Sequence, residues 1–583
     1  MKKKIYPTLT TPFSEKMDRD IPWNVYPRPQ LKRNSFICLN GLWDFTITKS
    51  DKIPENFTEK ILVPFPVESK LSGIERRVNK NDRLFYRRTF SLPEGFIADR
   101  LLLRFGAIDR FAKIYVNGNA MGVHDCGYTP FFVDVTEAVK DGENEIVVEA
   151  RDELSKLYPY GKQKRNRGGM WYTPVSGIWQ TVWLESVPEG YVENIRIKPS
   201  IDSVDIQLFT KSKVKKITLL DSGEVFEFRE NFITISPKEV KNWTPENPYL
   251  YRFKLETESD TVESYFALRT VTKERANGIP RLCLNGKPYL FNGLLDQGYF
   301  PDGLFLPATP EGYENDIKFA KSLGYNTLRK HIKIEPAIFY YLCDTLGIAV
   351  FQDMVNNGRY SFLCDTALPT IGFKRKRDKN RHKNPESREA FIDCMTATAN
   401  MLYNYPSVVY YTIFNEGWGQ FNSDETYEKL KAQDPSRIID STSGWFAQSK
   451  SDVASHHVYF KKPALLQDPT RPLVLSEFGG FSYRVEGHLF GAKNYGYSKY
   501  KIEREFEKSV FSLYENDVKP LVKNGISALI YTQISDIEDE TNGLITYDRR
   551  HVKVDTPRMK KILNELFELS VNTEVKNENS DML

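Results

Sequence analysis

The sequence predicts a multidomain protein in which two β-sandwiches precede an α/β barrel of the (β/α)8, or TIM, type. Three observations predict it. The 583 residues exceed the usual size of one domain, strand-like runs fill the first half, and apolar runs alternate with helical segments after about residue 283. We expect a jelly roll over 1–187, an immunoglobulin-like sandwich over 188–272, the barrel over 273–570 and a disordered tail over 571–583.

The first two domains are indicated by short β-runs that end at turn dipeptides. Lys113-Ile-Tyr-Val116 and Glu145-Ile-Val-Val-Glu149 are typical runs, and Asn40-Gly41 and Asn117-Gly118 are typical turns. Strands at this spacing over about 185 residues favour a jelly-roll sandwich. From about Tyr191 the alternation continues in shorter units, whose total length fits a small immunoglobulin-like sandwich.

The barrel is indicated by eight candidate strands separated by segments of helical period. Five helical stretches are predicted, at 310–323, 335–346, 385–403, 424–433 and 502–522. The gaps after the fifth and sixth strands are too short for full helices, so we expect reduced crossovers there. The strands are predicted at 288–297, 326–332, 348–355, 408–415, 436–441, 453–459, 472–477 and 526–533.

Composition argues against several classes of function. The 81 basic and 77 acidic side chains leave a net charge of only +4, so no nucleic-acid or membrane partner is expected. No run approaches a membrane span, no leader is evident, and the six cysteines form no C-x-x-C pair, so we expect a cytoplasmic protein with reduced thiols. The basic run at 374–383 is expected to be a solvated loop; a subunit contact or a patch for anionic substrates is the alternative.

Two glutamates follow apolar strands of the predicted barrel. Glu416 ends Thr412-Ile-Phe-Asn-Glu-Gly417, and Glu477 lies in Leu473-Val-Leu-Ser-Glu-Phe-Gly-Gly480. They would terminate strands four and seven, on opposite sides of the barrel mouth where function collects. Glycoside hydrolysis needs such a facing pair, one carboxyl as proton donor and the other as nucleophile or charge stabiliser. A single glutamate there is more often a cap or an ion-pair partner, so the prediction depends on the pair.

Basic and imidazole side chains also lie at predicted strand ends. Arg329, after strand two, would hold a nucleophilic carboxylate ionised and oriented, although an ordinary interior salt bridge is the alternative. His456-His457 suggests a metal, but no third ligand stands at typical zinc spacing. We therefore expect neither a metal nor a cofactor.

Phrases along nearly the whole chain resemble glycoside hydrolase family 2, which contains β-galactosidases, β-glucuronidases and β-mannosidases. They run in the same order from Tyr26-Pro-Arg-Pro-Gln30 through Leu39-Asn-Gly-Leu-Trp-Asp-Phe45 and Gly177-Ile-Trp-Gln180 to the barrel. There, Phe414-Asn-Glu-Gly417 is similar to the acid/base motif of the family, and Ser476-Glu-Phe-Gly479 is similar to its nucleophile motif.

The resemblance implies a retaining mechanism, with Glu416 as acid/base and Glu477 as nucleophile. It implies that Asn415 binds the sugar 2-hydroxyl and that His457 and Tyr459 line the sugar site. The remaining residues expected to bind substrate are Asp296, in a phrase similar to the β-galactosidase-like branch, Arg329, His331 and Gln533.

Three departures from the family bear on specificity. His331 follows Arg329 by two positions instead of three, and Thr532-Gln533 stands where the family usually ends strand eight with Trp. The lysine that holds the carboxylate in β-glucuronidases is missing from Glu540-Thr-Asn-Gly-Leu544.

These features favour a retaining exo-β-glycosidase that acts on a β-galactoside or a similar neutral sugar. A β-glucuronidase, β-mannosidase or α-L-arabinopyranosidase is the alternative within the family, because a few buried polar contacts decide between sugars. A non-catalytic carbohydrate-binding protein is the alternative outside it. The expected partner is a small carbohydrate, and a homo-oligomer is consistent with the family.

Overall fold

The computed structural model describes residues 9–228, 230–373, 377–379, 381–459 and 467–578. These residues form two antiparallel β-sandwiches followed by a parallel barrel, so the predicted fold class is confirmed. Residues 374–376 and 380 of the basic run lie outside the described part of the chain, as do residues 579–583.

The first sandwich packs a sheet in the order β1-β12-β5-β9 against one in the order β3-β2-β4-β10-β7-β8, and β6 pairs with β11. Strands alternate inward apolar and outward polar residues; in β7, Ala112, Ile114 and Val116 face the core. The strands are β1 (Phe36–Cys38), β2 (Gly41–Thr48), β3 (Glu59–Val63), β4 (Arg83–Ser91), β5 (Arg100–Phe105), β6 (Ile108–Asp109), β7 (Phe111–Val116), β8 (Asn119–Asp125), β9 (Phe131–Asp134), β10 (Glu143–Arg151), β11 (Gly177–Ile178) and β12 (Val182–Val187). Short 3₁₀ helices cover Pro12–Glu15 and Thr136–Ala138.

The second sandwich is smaller and packs the sheet β13-β14-β17 against β16-β15-β18-β19. Its core contains aliphatic and aromatic side chains such as Ile206, Ile217 and Phe253. The strands are β13 (Asn194–Pro199), β14 (Val204–Phe209), β15 (Val214–Leu219), β16 (Val225–Glu227), β17 (Phe232–Ile235), β18 (Tyr251–Thr257) and β19 (Thr261–Phe266).

A small antiparallel sheet then leads into the barrel and packs on its lower core. It consists of β20 (Val271–Ala276), β21 (Ile279–Leu284) and β22 (Lys287–Pro288). Leu282 and Leu284 join one apolar cluster with Ala528 and Ile530 of the last barrel strand. The amino-terminal end of the barrel is thereby filled with apolar side chains.

The described residues of the barrel form one sheet of eight parallel strands in the order β27-β26-β25-β24-β23-β32-β29-β28. Because β23 pairs with both β24 and β32, the first and last strands meet, as in a barrel. Nearly every strand residue is buried, which is the pattern of a parallel sheet covered on both faces. The strands are β23 (Phe291–Asp296), β24 (Thr327–Lys330), β25 (Ala349–Asp353), β26 (Val408–Asn415), β27 (Ile438–Ser443), β28 (Ala454–Val458), β29 (Leu473–Gly479) and β32 (Ala528–Thr532), and β30 (Ser482–Tyr483) pairs with β31 (Lys499–Tyr500) outside the barrel.

Helices cover the outside of the barrel at the five predicted places. Between β27 and β28, residues 444–453 are all described and form no helix, so the expected short crossover after the fifth strand is confirmed. The helices are α1 (Glu311–Ser322), α2 (Ala337–Leu346), α3 (Leu368–Thr370), α4 (Pro385–Leu402), α5 (Ser423–Gln433), α6 (Glu503–Ser512), α7 (Lys519–Lys523) and α8 (Thr556–Glu578), with π-helical turns at Phe362–Ala367 and Leu513–Val518.

The last helix, α8, extends beyond residue 570. It continues through residues 571–578, the first part of the segment for which the sequence predicts a disordered tail. Within the described ranges, no helix combines the length and the apolar character that crossing a bilayer requires.

Candidate active site

Glu416 and Glu477 lie at the carboxyl ends of two barrel strands, β26 and β29. Glu416 follows the last residue of β26 and has a left-handed backbone, with φ of 53°. Such a conformation is uncommon for a residue other than glycine, and strained backbone of this kind clusters at active sites. Glu477 lies where the pairing of β29 with β28 and with β32 shifts register. Irregularities of this kind aim a side chain into a site.

His457 lies between the two carboxylates. Its Nδ1 is 2.9 Å from Oε1 of Glu416, and its Nε2 is 3.5 Å from Oε1 of Glu477. One ligand atom from each of the three residues lies within 4.8 Å of the other two, and all three residues are buried. One oxygen of each carboxylate therefore lies within 4.8 Å of the other, which is compatible with the spacing of about 5–5.5 Å between the carboxyl groups of a retaining glycosidase.

Arg329 of β24 connects the candidate nucleophile to the neighbouring strand ends. Its guanidinium donates to Oδ1 of Asp353 at 3.0 Å, to Oε1 of Glu477 at 3.0 Å and to Oδ1 of Asn415 at 3.0 Å. It also donates to Oγ of Ser443 at 3.1 Å and to the carbonyl of Ser476 at 2.9 Å. The side chain of Arg329 is 1% exposed, so it takes part in interior ion pairs and also orients Glu477.

The charge state of Glu477 follows from these neighbours. Burial by itself would raise the pKa of Glu477, but His457 and Arg329 outweigh burial and hold that pKa well below its usual range. The hydroxyl of Tyr459 donates to the other carboxylate oxygen. Glu477 is thus ionised at neutral pH and held by donors at both oxygens.

Asn415 presents its amide to the same space. Its Oδ1 accepts from Arg329 at 3.0 Å and from the Ser443 hydroxyl at 2.7 Å. Both of these bonds use the oxygen, so they fix the flip of the amide and leave Nδ2 to donate to a ligand.

His331 lies next to Arg329 and shares its carboxylate. Nδ1 of His331 is 2.7 Å from Oδ2 of Asp353. Burial lowers the pKa of His331 although Asp353 opposes the shift. The two-residue spacing from Arg329 therefore still places an oriented imidazole close to Glu477, whose pKa it helps to lower.

Gln533 forms a second polar wall with a third glutamate. Its Nε2 donates to Oε2 of Glu540 at 3.0 Å and to Oδ1 of Asn542 at 2.8 Å. Tyr172, from the first sandwich, donates its hydroxyl to the same Glu540 oxygen at 2.6 Å. Burial raises the pKa of Glu540, and the nearby charge of Glu477 adds to the rise.

Lys162 also comes from the first sandwich. The neighbouring Gly161 donates its N–H to the carbonyl of Asn356 at 3.2 Å, and a Cβ on it would lie 2.9 Å from the carbonyl of Ile332. This docks the loop beside the end of β24. The charge of Lys162 lowers the pKa values of Glu540 and His331, yet this half-buried residue forms no ion pair with any described residue. An unpaired cation is therefore available beside the candidate site.

Asp296 is the predicted site residue whose contacts lie elsewhere. Its carboxylate pairs with Lys330 at 2.7 Å, and Lys330 also pairs with Glu335 at 2.8 Å. The pKa of Asp296 falls below its ordinary value because Lys330 outweighs burial. These charges satisfy one another, and Asp296 makes no direct contact with the carboxylate pair.

Several residues of the site were not selected from the sequence. The sequence places Asp353 among the polar residues at predicted strand ends but indicates no role for it in the site. Tyr497 stacks on Tyr459 with ring centroids 3.9 Å apart. Tyr497 lies in a long connection and Lys162 in another domain, so no local spacing signals either of them.

The metal interpretation of His457 also changes with the structure. The sequence shows no third ligand near His456-His457, but the fold brings Glu416 and Glu477 to His457 from distant positions. Those three side chains have the donor types of a metal site. The hydrogen bond between Nδ1 and Glu416, with Nε2 3.5 Å from Glu477, equally suits an imidazole held between two carboxylates.

Residues in all three predicted domains of the chain match models of one protein family. Models of glycosyl hydrolases family 2 match three consecutive parts of the chain: the sugar binding domain at 63–188, the central family 2 domain at 189–269 and the TIM barrel domain at 280–551. Together they cover most of the sequence, in the order expected from its phrases.

Individual relatives carry different names. A β-galactosidase of Pseudoalteromonas haloplanktis is 25% identical over 76% of this chain but over only 47% of its own length, so the chain spans about half of that relative. A β-glucuronidase of Streptococcus agalactiae is 24% identical over 67% of this chain and 68% of its own. Among solved structures, an uncultured Clostridium sp. β-glucuronidase has a TM-score of 0.73 at 19% identity, covering 92% of this chain and 99% of that one. A β-galacturonidase from Eisenbergiella tayi, bound to galacturonate, has a TM-score of 0.66 at 19% identity, covering 92% and 98%.

Proposed function

The chain belongs to glycosyl hydrolase family 2, and we propose that it is a retaining exo-β-glycosidase with Glu416 as acid/base and Glu477 as nucleophile. The observation that carries the proposal is the buried carboxylate pair, within 4.8 Å across His457. At that separation one carboxylate can attack the anomeric carbon while the other contacts the departing oxygen.

The proposed reaction has two displacements. Glu477 attacks the anomeric carbon and the glycosidic bond breaks, while protonated Glu416 gives its proton to the leaving oxygen. Glu416 then takes a proton from water as the water attacks the same carbon, which frees Glu477 and releases the sugar with its original configuration. Arg329 and Tyr459 support the step because they hold the nucleophile ionised and fixed between two donors.

The buried side chains beyond the carboxylate pair form a closed wall, which suits a substrate that ends in a single terminal sugar. Gln533, Glu540 and Tyr172 close that side with hydrogen-bonded and buried side chains. Asn415 would donate to the sugar 2-hydroxyl, the contact that the family resemblance implies. Neutral β-galactosides are our first candidate substrates, since the lysine expected in β-glucuronidases is absent after the eighth strand.

One observation favours a second candidate, a β-uronide. Lys162 brings an unpaired cation to the site from the first sandwich, where it could hold a sugar carboxylate in place of the missing lysine. This alternative changes the sugar and leaves the carboxylate chemistry unchanged.

A panel of 4-nitrophenyl glycosides, measured as kcat/KM, tests the proposal. Glu477→Gln is expected to lower turnover of the accepted substrate by at least about 10⁴-fold. Glu416→Ala is expected to regain turnover with a 2,4-dinitrophenyl leaving group, which needs little protonation. The exposed Glu137→Gln serves as the matched control; near-normal activity in Glu477→Gln would refute the assignment.

A further inference from the structure

A cavity lies away from the candidate active site, between the first sandwich and the outer helices of the barrel. Its volume is about 640 Å³, within the range of small-molecule sites. Strands β5 and β12 form one side, and the beginning of α2 and the end of α4 form the other. None of its lining residues belongs to the candidate catalytic set.

Several buried hydrogen-bond donors of this cavity lack an acceptor within the described part of the chain, those of Trp183 and Gln180 among them. Trp183 is 2% exposed and Gln180 is 5% exposed, and both line the cavity. Neither Nε1 of Trp183 nor Nε2 of Gln180 finds an acceptor among the described residues. Because an unsatisfied buried donor costs about 1–3 kcal/mol, these groups require an acceptor from a ligand or from water.

Positive charge accumulates on the same side. Three guanidiniums, those of Arg28, Arg33 and Arg104, form ion pairs with the single carboxylate of Glu185. Arg33 also forms an ion pair with Asp260. Burial, with repulsion from Arg28, lowers the pKa of Arg104 to about 10.

The opposite wall adds further donors. Helix α2 begins in the cavity at Ala337, and no described side chain caps its first turn. Uncapped N–H groups and the helix dipole favour an anion there. Glu193 is the one acid among the described lining residues, and it is exposed at the rim.

We propose that this cavity binds a small organic carboxylate. The carboxylate accepts from Nε1 of Trp183, from Nε2 of Gln180 and from the guanidinium of Arg104. The body of the ligand packs on the apolar wall, where Phe131 stacks on His124 and Phe132 lies under Arg104 at 4.8 Å. The cluster contains three guanidiniums and two buried carboxylates, so the single negative charge of a bound carboxylate would balance it.

Calorimetric titration of the intact protein with benzoate tests the proposal, with neutral benzamide as the matched ligand and with glucuronate and inorganic phosphate as comparators. Trp183→Phe keeps the ring but removes the donor, so its Kd for benzoate should rise about fivefold. Gln180→Glu is nearly isosteric and adds a negative charge, so its Kd should rise about 20-fold or more. Both variants should retain hydrolysis within about twofold of the parent.

Each outcome decides the question. Selective binding of benzoate, weakened in both variants, supports the site, and tighter glucuronate identifies a sugar acid as the preferred carboxylate. Equal binding of benzamide, tighter phosphate, unchanged Kd values or no heat up to about 10 mM benzoate overturns it. Crystals of the parent soaked in benzoate give a readout independent of variant folding: density elsewhere but not in this cavity also overturns it.

Discussion

Replacing Arg329 by methionine isolates the charge that we assign to orienting and ionising the nucleophile. Arg329 is buried and its Nη1 lies 3.0 Å from Oε1 of Glu477. At that distance, with an effective dielectric constant near 20, the attraction is about 5 kcal/mol, equivalent to at most about four pKa units. Opposite charges shift carboxyl pKa values by about 1–3 units in practice, so we expect the Glu477 pKa to rise by about two.

The direction of this pKa shift determines which limb of the pH profile should move. A nucleophile with a depressed pKa stays active as the pH falls until it is protonated, so the acid limb of kcat/KM should begin about two pH units higher in Arg329→Met. Arg329→Lys is the matched control, because it keeps the charge but loses the fork of hydrogen bonds. The lysine variant should lose kcat with little movement of the acid limb.

The same change should weaken the fold, because it leaves Asp353 and Glu477 without their shared partner. Breaking a buried ion pair costs about 3–5 kcal/mol, which a lower Tm would report. If Arg329→Met remains folded and its acid limb coincides with that of the parent, the electrostatic role of Arg329 is wrong.

Three further outcomes follow from other contacts. A Cβ on Gly444, whose φ is 82°, would lie 2.8 Å from Cγ of His457, so Gly444→Ala should lower kcat/KM about 100-fold by displacing the imidazole; unchanged kinetics would contradict the bridging role. Lys162→Met should lower the ratio of β-uronide to β-galactoside kcat/KM about tenfold or more, and an unchanged ratio would exclude contact with a sugar carboxylate. Burial raises the pKa of Asp344 to about 7. The protonated carboxyl therefore stabilises the fold at low pH, and about 4 kcal/mol of that stabilisation is lost as the pH rises from about 4 to 7. Asp344→Asn should flatten the dependence of Tm on pH over that range, and an unchanged slope would contradict the assignment.

The barrel could be predicted from the sequence because its strands are buried on both faces. Val408–Asn415 and Leu473–Gly479 are predominantly apolar runs whose amide or charged side chains lie near the carboxyl end, so each run shows both the strand and its functional end. The first sandwich could be predicted for a similar reason, since its alternation is regular.

The contacts of the site were less predictable because several depend on distant parts of the chain. Lys162 and Tyr172 reach the pocket from another domain, and no periodicity in either segment indicates the docking. Asp296 shows the opposite case, in which a residue at a strand end has its charge satisfied by Lys330. Strand-end position therefore predicts candidates, while the charged partners decide what each one contacts.

The central claim, a covalent mechanism through Glu477, is tested most directly by trapping the intermediate. A 2-deoxy-2-fluoro glycosyl fluoride of the accepted sugar slows both displacements, and digestion followed by mass spectrometry locates the label. We expect one sugar per chain, attached to Glu477, and no label in Glu477→Gln. A label on Glu416 or Glu540, or rapid turnover of the normal substrate with inverted configuration, would contradict the account.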